Sequence, residues 1–223
     1  MNFRRISIAV AGLVFSGFAS AQTVTNPSFE TLGQAGWTPV IAPPALWVDS
    51  AASPPRTLGA NGVQSTQGGP SSQILYQDVT LPATGTYTFR VAANCDPQGG
   101  ANTDFCRIDI TNTNAATLTL PTPGVDTLAT TGGNVLAAVF SLDGTGVVTP
   151  QTTRSATFAG AAGQVVRIRF LVQASNFIAN LNIDNVAFAP AGAAAAAPTM
   201  SEWALILMAL LIAATAAFHL RRR

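Results

Sequence analysis

The chain contains no lysine, and its single histidine, His219, lies close to the C-terminal end. Before that point no Ser-His-Asp triad, Cys-His pair or usual zinc site can be assembled. Charged residues make up 9% of the sequence, far below the quarter or so of an ordinary globular protein. Between residues 22 and 190 six arginines (56, 90, 107, 154, 167 and 169) face nine acids (Glu30 and Asp 49, 78, 96, 104, 109, 126, 143 and 184), which leaves −3. That balance offers no basic patch for a phosphate backbone, so nucleic acid is excluded as a partner. No amphipathic helical pattern appears before Trp203. The surface must be covered by Thr, Ser, Asn and Gln, and threonine favours strands. The apolar content of 48% is too high for a disordered polymer.

What is present at the N-terminus is a short positive start, Arg4 and Arg5, an apolar run from Ile6 to Phe18, and Ala19-Ser20-Ala21. Small-x-small after an apolar stretch is the pattern a signal peptidase accepts, which predicts a leader over 1–21; the alternative is a retained membrane helix. At the other end, Trp203 to Leu220 carries no acid, Lys or Arg. As a helix this run spans roughly 27 Å, enough to cross a hydrocarbon core of about 30 Å. Arg221, Arg222 and Arg223 follow and hold that end on the cytoplasmic side. The body of the chain is then exported and tethered to the membrane. An Ala-rich stretch, 191–198, which follows Pro190 and ends in Pro198, reads as a linker.

Within the body the hydrophobic period is two. Strand patterns run over Ser72–Leu81, Thr86–Ala93, Phe105–Thr111, Val135–Leu142, Ser155–Ala159, Gln164–Gln173 and Leu181–Phe188, with Gly, Pro, Asn and Asp between them. Val166, Ile168, Phe170 and Val172 share one face of their strand, and Arg167 and Arg169 take the other. This is the signature of an all-β, antiparallel β-sandwich over 22–190. Cys95 and Cys106 each lie on the apolar phase of a strand, separated by a loop rich in Gly, Asn and Asp. In an oxidising compartment they are expected to form a disulfide closing a hairpin-like loop, worth about 3 kcal/mol on the chain-entropy model. The competing reading, a metal or catalytic thiol pair, lacks a nearby histidine.

The segment Pro198-Thr199-Met200-Ser201-Glu202-Trp203, followed by the apolar run and the terminal arginines, resembles the IPTL-CTERM protein-sorting signal, a relative of PEP-CTERM. The family's usual Ile and Leu are Ala197 and Met200 here. The resemblance implies a membrane-embedded processing enzyme of the exosortase type as partner and delivery to the cell surface or extracellular matrix of a Gram-negative-type bacterium. Pro198, Thr199, Met200, Ser201, Trp203 and Arg221 to Arg223 are its motif residues. A permanent anchor without cleavage is the alternative.

A second resemblance rests on Asn26-Pro27-Ser28-Phe29-Glu30, Gly36-Trp37, Tyr76-Gln77-Asp78-Val79, the run Pro82 to Phe89, and Asn182-Ile183-Asp184-Asn185-Val186. Together they are similar to galactose-binding-like jelly rolls, including carbohydrate-binding modules of families 4 and 9. That resemblance implies a jelly-roll ectodomain and a structural Ca²⁺ shared by Glu30 and Asp184, whose alternative role is to cap turns. The alternation phase slips at Asp184-Asn185, as a β-bulge requires. Trp47 and Tyr76 are the candidate sugar platform and Asn176 and Asn180 candidate polar contributors, while Trp37 reads as core. Three roles follow: an extracellular polysaccharide-binding module, a structural or adhesive matrix component without sugar binding, and a glycan-active enzyme. The last needs only two carboxylates at a set separation. No pattern singles out such a pair, so the expected protein is not an enzyme.

Overall fold

The computed structural model describes residues 24–31, 34–50, 61–66, 69–97, 104–123, 134–143, 149–175 and 179–191. The expected leader, the span 203–220, Asn176 and all the sorting-motif residues from Pro198 to Arg223 lie outside them. The strands are β1 (Thr38–Ile41), β2 (Leu46–Ser50), β3 (Gly62–Thr66), β4 (Ser71–Thr80), β5 (Gly85–Pro97), β6 (Phe105–Asn112), β7 (Val135–Asp143), β8 (Thr152–Gly160), β9 (Val165–Ala174) and β10 (Ala179–Pro190). They form two sheets of five, ordered β1-β4-β9-β6-β7 and β2-β3-β10-β5-β8, and every pairing is antiparallel. From β3 onward successive strands alternate between the sheets, except for the β6–β7 hairpin. That is a jelly roll of eight strands, with β1 and β2 added at one margin.

Period-two alternation sends one residue set of each strand into the space between the sheets. Tyr87, Phe89, Val91 and Cys95 of β5 meet Val166, Ile168, Phe170 and Val172 of β9 there, with Leu181 and Ile183 of β10 alongside. Trp37 joins this core as expected, its ring 5.3 Å from Phe29 and 5.2 Å from Phe170. The segment before β1 is fastened by Gln77, whose amide nitrogen donates to the Thr25 and Gly36 carbonyls and whose oxygen accepts from the Thr25 N–H.

One expectation is corrected. The Cys95–Cys106 disulfide is present, with a Cα–Cα distance of 6.1 Å, but it does not close a hairpin. Its cysteines belong to different sheets, β5 and β6, so the bond pins the two halves of the sandwich through the core. Arg167 and Arg169 do take the face of β9 away from the core, yet that face is not solvent. The stretch after β6, including a 3-10 turn at Ala115–Leu118, lies over it. Arg169 (1% exposed) donates to Asp109 through Nε at 2.9 Å and Nη2 at 2.7 Å, and through Nη1 to the Thr117 carbonyl at 2.8 Å. Arg167 grips Asp78 with Nε and Nη2 at 2.7 and 2.8 Å, donates to the Thr117 hydroxyl, and stacks 4.4 Å over the Tyr76 ring. Ile74, Phe105 and Leu171 form a second, smaller apolar cluster under the same cover.

Candidate functional site

The outer face of the second sheet carries a row of amides. In β10, Leu181 and Ile183 point inward, so Asn180, Asn182 and Asp184 point out. In β5, Val91, Ala93 and Cys95 point inward, so Ala92, Asn94 and Asp96 point out. The register joins these sets. Gln64 of β3 lies opposite Asn182, and Asn182 lies opposite Asn94. Neighbouring strands are about 4.8 Å apart, so the three amides run roughly 10 Å across the sheet. Gln151, next to the start of β8, extends the line, because Thr152 is opposite Ala93.

These amides are not idle surface. Asn94 and Asn182 are only 6% and 5% exposed, and the side-chain oxygens of Asn94, Asn180, Asn182 and Gln151 are buried without a hydrogen-bond partner. Each such orphan costs about 1–3 kcal/mol relative to a satisfied group, so four on one face call for a functional explanation. An amide offers a donor and an acceptor side by side, and a hydroxyl is both at once, so each amide is matched to a ligand rich in hydroxyls. Charges of both signs flank the row: Asp96 lies opposite Asn180 on one side, and Asp184, opposite Ala92, and Arg90, opposite Ala187, lie on the other.

Trp47 and Tyr76, the expected platform, are not brought together. Trp47 packs in the core at 7% exposed. Tyr76 lies on the outer face of the other sheet, beneath Arg167. Of the expected polar contributors, Asn180 joins the amide face. Asn94, Asn182, Gln64 and Gln151 were missed. The outward phase of β10 was readable from Leu181 and Ile183, whereas the alignment of three strands depends on register, which spacing within one strand does not carry.

Glu30 and Asp184 each approach the segment entering β3, at neighbouring residues. Glu30 accepts from the Asn61 N–H at 3.1 Å. A Cβ on Gly62 would lie 3.1 Å from the Ile183 carbonyl and 3.8 Å from the Asp184 Cβ, so glycine permits the close approach. The expected bulge is present: the β10–β5 register shifts between Asp184 and Ala187, and Asn185 takes φ +51°. There Val186 donates to the Pro27 carbonyl at 2.7 Å, tying the Asn26–Glu30 motif to the Asn182–Val186 motif. Asp184 is 2% exposed and accepts from the Asn185 N–H. The donors are hard oxygens, suited in kind to Ca²⁺. Among the described residues no group of three or more His, Cys, Asp or Glu is placed to hold a metal, so backbone carbonyls would have to complete the shell.

Residues 195–223 match the IPTL-CTERM motif. The motif marks an exported protein, sorted at the membrane to the cell surface. No curated protein matches the sequence. Among solved structures, TmCBM61, determined in complex with β-1,4-galactotriose, is similar at a TM-score of 0.50 and 18% identity, over 77% of this chain and 99% of that one. The CBM22-1 xylan-binding domain of Paenibacillus barcinonensis Xyn10C has a TM-score of 0.44 at 13% identity, over 75% and 93%. The K1 cleaved adhesin domain of Lys-gingipain from Porphyromonas gingivalis has 0.45 at 19%, over 74% and 96%. The likeness to the first is one of fold. The chain is an exported surface protein with a β-sandwich ectodomain similar in fold to TmCBM61.

Proposed function

We propose that the ectodomain is a non-catalytic binding module for a neutral extracellular polysaccharide, and that the ligand lies across the amide row Gln64–Asn182–Asn94. The observation that carries this reading is the set of buried, unpartnered amide oxygens on one face. Hydroxyls of a sugar chain would satisfy them, each amide offering a donor and an acceptor to a neutral ligand. Recognition would rest on hydrogen bonds rather than aromatic stacking, because Trp37 and Trp47 are both in the core. That burial also favours a second reading, a structural or adhesive matrix protein that recognises no sugar. A glycan panel including the host's own polysaccharide distinguishes them. Saturable binding is expected for neutral chains, with Asn94→Ala and Asn182→Ala each weakening it about five- to tenfold, the worth of a neutral hydrogen bond, and neither lowering the melting temperature. No binding by a folded sample would leave the structural reading.

Ca²⁺ held by Glu30, Asp184 and neighbouring backbone carbonyls would brace the two chain ends of the domain against β3. At a hundredfold excess over its dissociation constant such an ion adds about 2.7 kcal/mol, and chelator should lower the melting temperature by roughly 5–10 °C. An unmoved transition and no heat on calcium titration would remove the ion from this reading.

The sorting tail is proposed to be cut by a membrane enzyme of the exosortase type near Pro198-Thr199, as the match at 195–223 supports. Intact mass of the mature surface protein should lack Trp203 to Arg223; a retained tail would make it a permanent anchor.

A further inference from the structure

A carboxylate taken out of water needs a basic side chain, a metal ion or a proton to neutralise it. Asp104, immediately before β6, is fully buried. Its Oδ1 accepts twice from Ser175, the residue after β9: from the backbone N–H at 2.5 Å and from the hydroxyl at 2.6 Å. Its Oδ2 is buried with no hydrogen-bond partner. Asp109, the other fully buried acid of this sheet, is held by two arginines.

The chain has little charge to spare for Asp104. It contains no lysine, and its one histidine is His219. Arg107 and Arg169 are bound to Asp109, and Arg167 to Asp78. Arg154 lies over the Phe140 ring. Arg90 is exposed on β5, in the other sheet. Among the described residues no ion pair reaches Asp104. Arg56 lies outside them.

The groups beside Asp104 are oxygens. Ser175 contributes its hydroxyl, already on Oδ1. Gln173, two residues earlier in β9 and opposite Phe105, is fully buried and carries an amide oxygen. The nearby sulfur of Cys106 is bonded to Cys95, so it is no thiolate ligand. Carboxylate, hydroxyl and amide oxygens without imidazole or thiolate suit a hard cation.

We propose that Asp104 Oδ2 binds a calcium ion where β9 ends and β6 begins, with neutral oxygens completing the shell. Ca²⁺ accepts an irregular set of oxygens, whereas Mg²⁺ demands a near-ideal octahedron. This site is separate from Glu30 and Asp184, which approach β3 in the other sheet. A single carboxylate is a low ligand charge, which places the affinity at about 10⁻⁴–10⁻³ M, the range of extracellular modules. Such a site fills after export, where calcium is abundant. It lies two residues from Cys106, so the ion and the disulfide fasten the same end of the sandwich after export.

The test uses the full chain extracted in detergent, stripped with chelator and titrated with CaCl₂, MgCl₂ or NaCl at constant ionic strength. Saturating CaCl₂ should raise the melting temperature by roughly 5 °C. Asp104→Asn keeps an acceptor for Ser175 but removes the charge. It should melt no lower than the chelated parent and lose the calcium shift. Glu30→Gln should retain that shift, and calorimetry with CaCl₂ should show a binding event present in Glu30→Gln and absent in Asp104→Asn. A calcium response lost in Glu30→Gln but kept in Asp104→Asn would belong to the other site and overturn this one. An equal response to NaCl, or none to any of the three salts, would also overturn it, the latter leaving a proton as the neutralising group. So would strong coupling between Asp104→Asn and Arg56→Gln in a double-mutant cycle, which would identify a counter-charge from the chain itself.

Discussion

Asp109→Ala is expected to destabilise the domain by about 3–5 kcal/mol, the cost of stranding a buried charge. Asp109 is fully buried and holds two arginines: Arg169 through both carboxylate oxygens, and Arg107 through Oδ2 at 2.6 Å. The alanine leaves the Arg169 guanidinium, itself 1% exposed, hydrogen-bonded to the Thr117 carbonyl and without the carboxylate that balanced its charge. For a domain of this size the melting temperature should fall by roughly 10 °C. Urea unfolding checks it, with the midpoint moving and the slope unchanged. Because the penalty comes from the orphaned partner, replacing both members by apolar residues, Asp109→Leu with Arg169→Met, should recover most of the loss. If Asp109→Ala alone costs under about 1 kcal/mol, the pair behaves as a surface salt bridge and the cover over it is not a packed layer.

The same network shows where reading the sequence stops. The alternation of Val166, Ile168, Phe170 and Val172 correctly assigned the two arginines to the opposite face of β9. It could not tell whether that face met water, because the segment that covers it, from Asn114 to Pro121, has no period and attaches through polar contacts. Thr117 accepts from Arg169, and the Ser72 hydroxyl donates to the Pro121 carbonyl. Seven of the ten strands were legible because each is long enough for period two to repeat. β1, β2 and β3 have four or five residues, too few positions for a pattern to stand out, and Pro39 falls within β1. The phase slip at Asp184-Asn185 was visible as sequence and is a bulge in the fold, since each strand residue commits its neighbour to the other face. The amide row was invisible, as each asparagine looks like any turn residue until β3, β10 and β5 are aligned.

The physical contrast between the two outer faces is what separates structure from recognition here. On the first sheet each outward charge of β4, β6 and β9 has an opposite charge within hydrogen-bonding distance, and the apolar cluster of Ile74, Phe105 and Leu171 packs beside them, although the Thr111 hydroxyl is also buried without a partner. On the second sheet the buried amides keep acceptors unused. A protein selected only to be a rigid spacer would gain by converting Asn94 and Asn182 to threonine or valine, which suit a strand better. Retaining the amides is consistent with a ligand that supplies the missing bonds.

Removal of the disulfide, by Cys95→Ala with Cys106→Ala, is expected to cost about 3 kcal/mol from loop closure alone, within the 2–5 kcal/mol common for secreted domains. The location adds to the consequence. Cys95 sits opposite Leu181 near the C-terminal end of β5 in one sheet, and Cys106 sits between Val172 and Leu142 near the start of β6 in the other. The bond therefore crosses the core, and without it the two sheets are joined at that end by packing and loops only. Melting should drop by roughly 6–12 °C. Both cysteines are fully buried, so a reductant cannot reach the sulfurs while the sandwich is closed. Under native conditions the bond should resist reduction at concentrations that cleave it rapidly once urea opens the fold, and thiol counting over time measures this directly. A melting point within 2 °C of the parent, or prompt reduction of the folded protein, would mean that the sheets do not depend on the bond and that this end of the sandwich opens readily.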